Sequence, residues 1–460
     1  MRGIIEEARA LQDRIVADRR WLHRHPEIGF DLADTLSYVR GRLEEMGYAV
    51  EPCGGGLAAC VGRTDGPCVL VRADMDALPL AEETGLEFAS TNGNMHACGH
   101  DTHTAMLLGA ARLLKDHEGE LPGCVKLMFQ PDEEGDPAAD ITGGQAMVEA
   151  GVLENPRVDA AVSLHISVPS YPAGSVNTRC GTMCSSIDDV DILVTGRGAH
   201  GSRPQEGVDP IAIACHIFLA IEGYIAREID PNDLCVATFG SIEAGRAANV
   251  IPETAHMLGT LRTQDPAVRA RFHKRVPELA AGIARAFGGD AKVEFLRSVP
   301  VTVNDPDLTR ELCGYAEELF GEPVGEIAQP NMGNDDLAFV AERVPTTYFY
   351  LGATVPEAAE WGMHNPHGLF DESVLWRGSA LLANSAWEYL AARASAEGRP
   401  CTAARAPRLE GSIPQSKRRG SGCAPGRPPG FGAAVRTFPT GRAPTRSDKS
   451  ARSRSPGRPA

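Results

Sequence analysis

The chain has 460 residues, 43% of them hydrophobic and 23% charged, which is enough for two or three domains with sizeable cores and excludes a short binding module. The formal charge of −16 joins two unlike parts: residues 401–460 hold 13 Lys and Arg against 2 Asp and Glu, a net +11, so the first 400 residues carry −27. A body that acidic argues against nucleic acid as a partner.

The N-terminal stretch "MRGIIEEARALQDRIVADRRWL" scatters charges through its apolar positions, unlike a signal peptide, and the chain has no uninterrupted run of about eighteen apolar residues. A soluble, cytoplasmic protein without a membrane partner is expected. His23 and His25, in "WLHRHPEIGF", fall at the end of an early helix and read as structural. "CGGGLAAC" (53–60) reads as a turn before a strand rather than a phosphate cradle.

Short runs rich in β-branched residues then end in polar groups. "CVLVRADMD" (68–76) runs into Asp74 and Asp76, "GCVKLMFQPDEEG" (123–135) into Glu133 and Glu134, and "DAAVSLHI" (159–166) into His165, with a helical pattern over 102–117 among them. This alternation predicts an α/β domain with a mixed, mostly parallel sheet and helices on both faces, whose ligands gather beyond the carboxyl ends of the strands.

The order changes after residue 186. Strands are predicted at 186–196, 234–243, 254–263 and 291–299, and helices at 207–229 and 265–288, which is the β-α-β-β-α-β order of a ferredoxin-like unit. The α/β pattern resumes with a helix around "DLTRELCGYAEELFG", a strand at 346–353 and a closing helix at 370–394. The catalytic domain is therefore expected in two parts, 1–180 and 300–397, with an inserted lobe at 181–299. Residues 398–460, rich in Pro, Gly, Arg and Ser without apolar periodicity, are expected to be disordered.

The densest chemistry is "MHACGHDTHT" (95–104), where Cys98 and His100 make a plausible metal half-site. Twelve cysteines show no disulfide or zinc-ribbon spacing, and the pair Cys180 and Cys184 has no second pair to complete a finger. Glu133 and Glu134, His165, and the loop "WGMHNPHGLF" with His364 and His367 offer further donors toward the same sheet edge. A set this long suits two divalent ions rather than one, which is hydrolytic chemistry. In "PDEEG" one carboxylate can bind metal while the other moves a proton. No serine elbow of the G-x-S-x-G kind occurs.

"ADMDALP", "MHACGHDTHTAMLLGAARLL", "FQPDEEG", "AVSLHI", "GRGAHGSRP", "ANVIP", "GTLRT", "MGNDDLAFV" and "HNPHG" occur in the order and spacing of the M20 metallopeptidase family. The chain most resembles its amidohydrolase branch of hippurate hydrolases, N-acyl-amino-acid deacylases and plant auxin-conjugate hydrolases, over residues 15 to 395 or so. The resemblance implies that Cys98, His100, Glu134, His165 and His364 hold two divalent metals (Mn, Zn, Co or Ni), with Glu133 as catalytic base. It implies that Asp76 orients a ligand, that His200 reaches an active site, often the partner subunit's, to stabilise the oxyanion, and that Asn249 and Arg262 hold the substrate. His96, Asp101, His103 and His367 would stand behind the ligands. The implied activity is cleavage of N-acyl-L-amino acids by a homodimer or higher oligomer formed through the lobe. The alternatives are a dipeptidase or aminopeptidase on the same scaffold, or an inactive binding relative.

Overall fold

The computed structural model of the chain describes residues 3–136 and 139–397, and the predicted disorder of 398–460 concerns residues outside these. Helices α1 (Ile4–Ala10), α2 (Gln12–Arg24) and α3 (Ala33–Glu45) lead into a hairpin of β1 (Val50–Cys53) and β2 (Gly56–Gly62). Strands β3 (Cys68–Asp74), β4 (Cys124–Gln130) and β5 (Ala160–Ser167) are buried along their whole lengths, as their near-continuous apolar composition requires of strands covered on both faces. Helix α4 (His100–Asp116) lies between β3 and β4 in the chain and is buried almost all round. It begins two residues before the predicted start, because Gly99 takes a left-handed conformation and so lets His100 open the helix. A short α5 (Gly143–Glu149) precedes β5, and β6 (Val176–Thr178) follows it.

Strand β7 (Gly181–Cys184) leads into the inserted lobe. There β8 (Ile187–Thr195), the two-residue β9 (Ala199–His200), α6 (Pro210–Glu228), β10 (Cys235–Ala244), the two-residue β11 (Val250–Ile251), β12 (Thr254–Thr263), α7 (Pro266–Ala286) and β13 (Asp290–Val299) follow. The antiparallel sheet order β10-β12-β8-β13 is the ferredoxin-like order that the sequence predicted. Ile213, Ile217 and Ile221 of α6 and Phe272 and Val276 of α7 pack with Val190, Ile192 and Val194 of β8 to form its separate core.

Strand β14 (Thr302–Asn304) pairs with β7, and α8 (Pro306–Phe320), β15 (Gly325–Glu326), α9 (Ala338–Ala341), β16 (Thr346–Gly352) and α10 (Leu375–Glu397) complete the chain. The large sheet runs β1-β2-β4-β3-β5-β16-β6-β15, with β4, β3, β5 and β16 parallel at its centre, antiparallel pairs β1–β2, β2–β4 and β16–β6 flanking them, and a parallel β6–β15 pair at one edge. The closing helix starts at Leu375 rather than 370, because Asp371 first caps a single 3₁₀ turn, Glu372–Val374. Three helices begin at an Asp-Pro pair, 209–210, 265–266 and 305–306. In each, the Asp side chain accepts from a backbone N–H of the first turn and Pro takes the position that needs no donor.

Helix α6 is long and apolar enough by length and composition to cross a membrane. About a third of it is buried in the lobe's core, while Ile211 and Leu219 on its other side are exposed.

Candidate active site

The carboxyl ends of β3, β4, β5 and β16, with the loops that follow them, surround a cavity of about 740 Å³ lined by Cys98, Glu133, Glu134, His165, His364 and Arg262, among others. This is the place a parallel sheet offers a ligand. Cys98 and His100 flank Gly99, where φ is 92° and a Cβ would lie 2.5 Å from Ile166, so only glycine lets both donors share the turn.

The imidazoles are prepared one by one. His100 Nδ1 lies 3.0 Å from the Asp76 carbonyl and 3.2 Å from Asp76 Oδ1, so it donates there, and Nε2 is left buried without a hydrogen-bond partner. His165 Nδ1 donates to the Ile166 carbonyl at 2.5 Å, which turns the Nε2 lone pair toward Cys98 Sγ, 3.4 Å away. Such partners fix the tautomer that a metal ligand needs. His364, at the half-exposed mouth, sits at φ 59°, an uncommon conformation for a residue other than glycine, held by its N–H to the Ala97 carbonyl at 2.9 Å. Its Nε2 lies 3.3 Å from Glu134 Oε1.

Cys98, His100 and His165 form one group, and Cys98, Glu134 and His364 a second. Within each group the donor atoms lie within 4.8 Å of one another, and Cys98 belongs to both. The buried, unpartnered His100 Nε2 and the mixed thiol, imidazole and carboxylate donors fit a pair of divalent cations.

Electrostatics agree with that fit. Burial, then the Asp335, Glu134 and Asp336 carboxylates, push Glu133 well above the usual range. Burial and the neighbouring Glu134 and Glu133 do the same to the Cys98 thiol. Burial opposes a proton on His100, but Asp74 and Asp76 outweigh it and raise the group to about 10. Such a site holds protons that a cation would replace.

Asp76 also accepts from the Glu134 N–H at 3.0 Å, so one carboxylate holds both a histidine and the glutamate loop. His103 donates from Nδ1 to Asp74 at 2.6 Å and accepts at Nε2 from the Ile166 N–H at 2.8 Å, standing behind His165. His23 bridges Asp101 at 2.8 Å and Glu82 at 3.0 Å, a structural tie. Both ring nitrogens of the buried His96 lack partners, and His367 is hydrogen-bonded to the Glu83 carbonyl at 3.1 Å. Cys180 and Cys184 do not converge: the first is exposed, and the second is buried in the cavity wall, 3.6 Å from the Tyr350 hydroxyl.

Arg262 projects into the cavity from β12, with NH1 3.4 Å from the Met332 carbonyl, and no carboxylate among the described residues pairs with it. His200 and Asn249 lie elsewhere, at the exposed β9–β11 pair, where the Gly201 N–H donates to the Asn249 carbonyl at 2.8 Å. The sequence reading missed Arg297, which also lines the cavity, and the Asp335 and Asp336 carboxylates beneath it. "MGNDDLAFV" held the signal for the last two, as an acidic pair that opens an apolar run.

An α/β body with hydrolase-type metal donors at its strand ends and a ferredoxin-like insertion defines an amide-bond hydrolase of the two-domain metallopeptidase kind. Residues 70–388 match the model of peptidase family M20/M25/M40, and the chain belongs to that family. It is similar to thermostable carboxypeptidase 1 of Saccharolobus solfataricus, with 38% identity over 82% of this chain and 96% of that one. It is also similar to IAA-amino acid hydrolase ILR1-like 4 of Arabidopsis thaliana, with 36% identity over 82% and 86%. Among solved structures it resembles the Bacillus subtilis YXEP protein, a dinuclear metal-binding peptidase of the M20 family, with a TM-score of 0.69 and 32% identity over 83% of this chain and 99% of that one.

Proposed function

We propose that this chain is a dinuclear metal-dependent amidohydrolase that cleaves N-acyl-L-amino acids to a carboxylic acid and a free amino acid. The observation that carries this reading is the convergence of two donor groups sharing Cys98 on a cavity that also holds Glu133 and Arg262, which has no carboxylate partner among the described residues. Cys98, His100, Glu134, His165 and His364 are the proposed ligands, and the set suits Zn, Mn, Co or Ni. Two such ions would lower the pKa of a water and polarise the amide carbonyl.

Glu133, adjacent to the ligands, takes the proton of the attacking water and delivers it to the departing nitrogen. Asp76 orients His100 and the Glu134 loop. Arg262 is half-buried, and both burial and the nearby Arg297 weaken its hold on a proton, so an incoming α-carboxylate relieves both costs through a bidentate pair. That favours a substrate with a free carboxylate over the free amine of an aminopeptidase substrate. The 38% identity to a carboxypeptidase keeps peptide cleavage as a second reading.

The test is amine release from hippurate, N-acetyl-L-amino acids and dipeptides by chelated enzyme reloaded singly with Mn, Zn, Co or Ni. Cleavage of one acyl class supports the first reading and of dipeptides alone the second, while inert, fully loaded protein refutes both. The described cysteines are all free thiols, which suits the cytoplasm.

His200 and Asn249 reach a site only across a subunit boundary in this reading. Ten large apolar side chains are exposed among the described residues, and all ten fall between Leu193 and Leu296, on the lobe. Of these, Ile211 and Leu219 on the bare side of α6 and Val236 and Ile242 on the open edge strand β10 mark the surface through which a second copy docks. Leu219→Glu, on that side of α6, is expected to shift the protein from dimer to monomer in light scattering, and a monomeric wild type refutes the assignment.

Metal loading is expected to tighten with rising pH. Cys98 and His100 are protonated at neutral pH in the metal-free chain and must release those protons. Affinity then rises about a hundredfold per pH unit while both leave, up to the range where the apo groups deprotonate themselves. Calorimetry in buffers of different ionisation enthalpy counts the protons; a flat affinity from pH 6 to 9 contradicts the assigned ligands.

A further inference from the structure

The backbone of Glu134 is gripped from two sides. Its N–H donates to Asp76 Oδ2 at 3.0 Å, a bond made within the large domain, while its carbonyl accepts from Arg297 NH1 at 2.9 Å, a group carried by β13 of the lobe. Arg297 sits where the β13–β8 register shifts, between Phe295 and Ser298, and irregularities of this kind re-aim side chains. Its Nε lies 3.4 Å from Asp189 Oδ2 on β8, an ion pair on the lobe side without a hydrogen bond.

The next residue is shaped for this contact. Gly135 has φ 79°, and a Cβ there would lie 2.5 Å from Arg297 NH1, so any side chain would push the guanidinium off the carbonyl. Arg297 also lines both the 740 Å³ cavity and a second cavity of about 230 Å³, and so forms part of the wall between them.

We propose that Arg297 is a positioning residue through which the lobe holds the Glu133–Gly135 loop in its metal-binding conformation, making lobe docking and completion of the metal site one event. Asp76 fixes His100 and one face of the Glu134 peptide, and Arg297 fixes the other face. Losing Arg297 leaves the ligand present but free to turn. This inference rests on the reading of Glu134 as a metal ligand.

The experiment compares wild type, Arg297→Met and Arg297→Lys by zinc and manganese calorimetry, by kcat and KM on the best acyl-amino acid, and by thermal melting of the metal-free proteins. Methionine is expected to weaken metal binding and lower kcat about 10–100-fold, the usual cost of losing a group that supports a ligand, with KM and the metal-free melt little changed. Lysine, which keeps a single-point donor, is expected to fall between the two. Wild-type metal affinity in either folded variant overturns the proposal, as does a rise in KM alone, which makes Arg297 a substrate ligand instead. A wild type that binds no metal refutes the underlying reading rather than this step.

Discussion

Replacing Glu133 with Gln is expected to lower kcat about 10²–10⁴-fold, the share that a positioned acid–base group supplies, while metal binding persists. Gln keeps the shape but can neither take the proton of water nor return it to nitrogen. The same substitution is expected to stabilise the metal-free chain. Glu133 is buried beside Asp335, Asp336 and Glu134, and its proton affinity is raised well above the ordinary range of a Glu, about 4.3. A group raised in the folded state gives stability that is fully present below its unfolded pKa and lost as pH rises through the folded value. Gln mimics the protonated form at every pH, so the variant's advantage in melting temperature is expected to be small near pH 5 and larger near pH 8. A variant that loses activity together with its metal, or melts below wild type at pH 8, removes Glu133 from the proposed role.

What the sequence made legible was whatever depends on neighbours in the chain. The buried apolar strands and the β-α-β-β-α-β order of the lobe are local patterns, and each reappears in the fold. The C-G-H turn and the acidic pair after β4 are likewise short-range signals. Contacts set by tertiary packing were not legible. Nothing near "FLRSV" announces that Arg297 meets the Glu134 carbonyl, 163 residues away. His200 was assigned by resemblance to an active site that could be the partner subunit's, and its place on the β9–β11 pair keeps it out of its own chain's cavity. Its assigned role therefore requires a second copy.

Arg72→Met is expected to cost about 3–5 kcal/mol of stability, because removing one partner of a buried ionic network strands the others. Arg72 is fully buried on β3, where Asp74 is the strand's other charged residue, and pairs with Asp74 at 2.7 Å, Asp335 at 3.2 Å and Asp336 at 3.1 Å. Gln130 donates to Asp336 at 2.6 Å and Tyr348 to Asp335 at 2.5 Å, so the network has neutral support but one central cation. Even with Arg72 present, burial raises Asp336 to about 7. Asp74 stays well below the ordinary range because, against burial, Arg72 and the nearby histidines favour its charge. Without the guanidinium both carboxylates are expected to shift upward. Stability from their protonated forms is then present below the unfolded pKa of about 3.9 and lost as pH rises, so the deficit is expected to be greater at pH 8 than at pH 5. Adding Asp336→Asn should recover part of it, since these groups act as one network and their effects are not additive. Urea unfolding of the single and double variants at the two pH values decides this: a deficit independent of pH, or no recovery in the double variant, means that Arg72 contributes packing rather than charge. The network lies directly under Glu133, so the arginine that keeps the core folded also limits how much negative charge surrounds the proposed base.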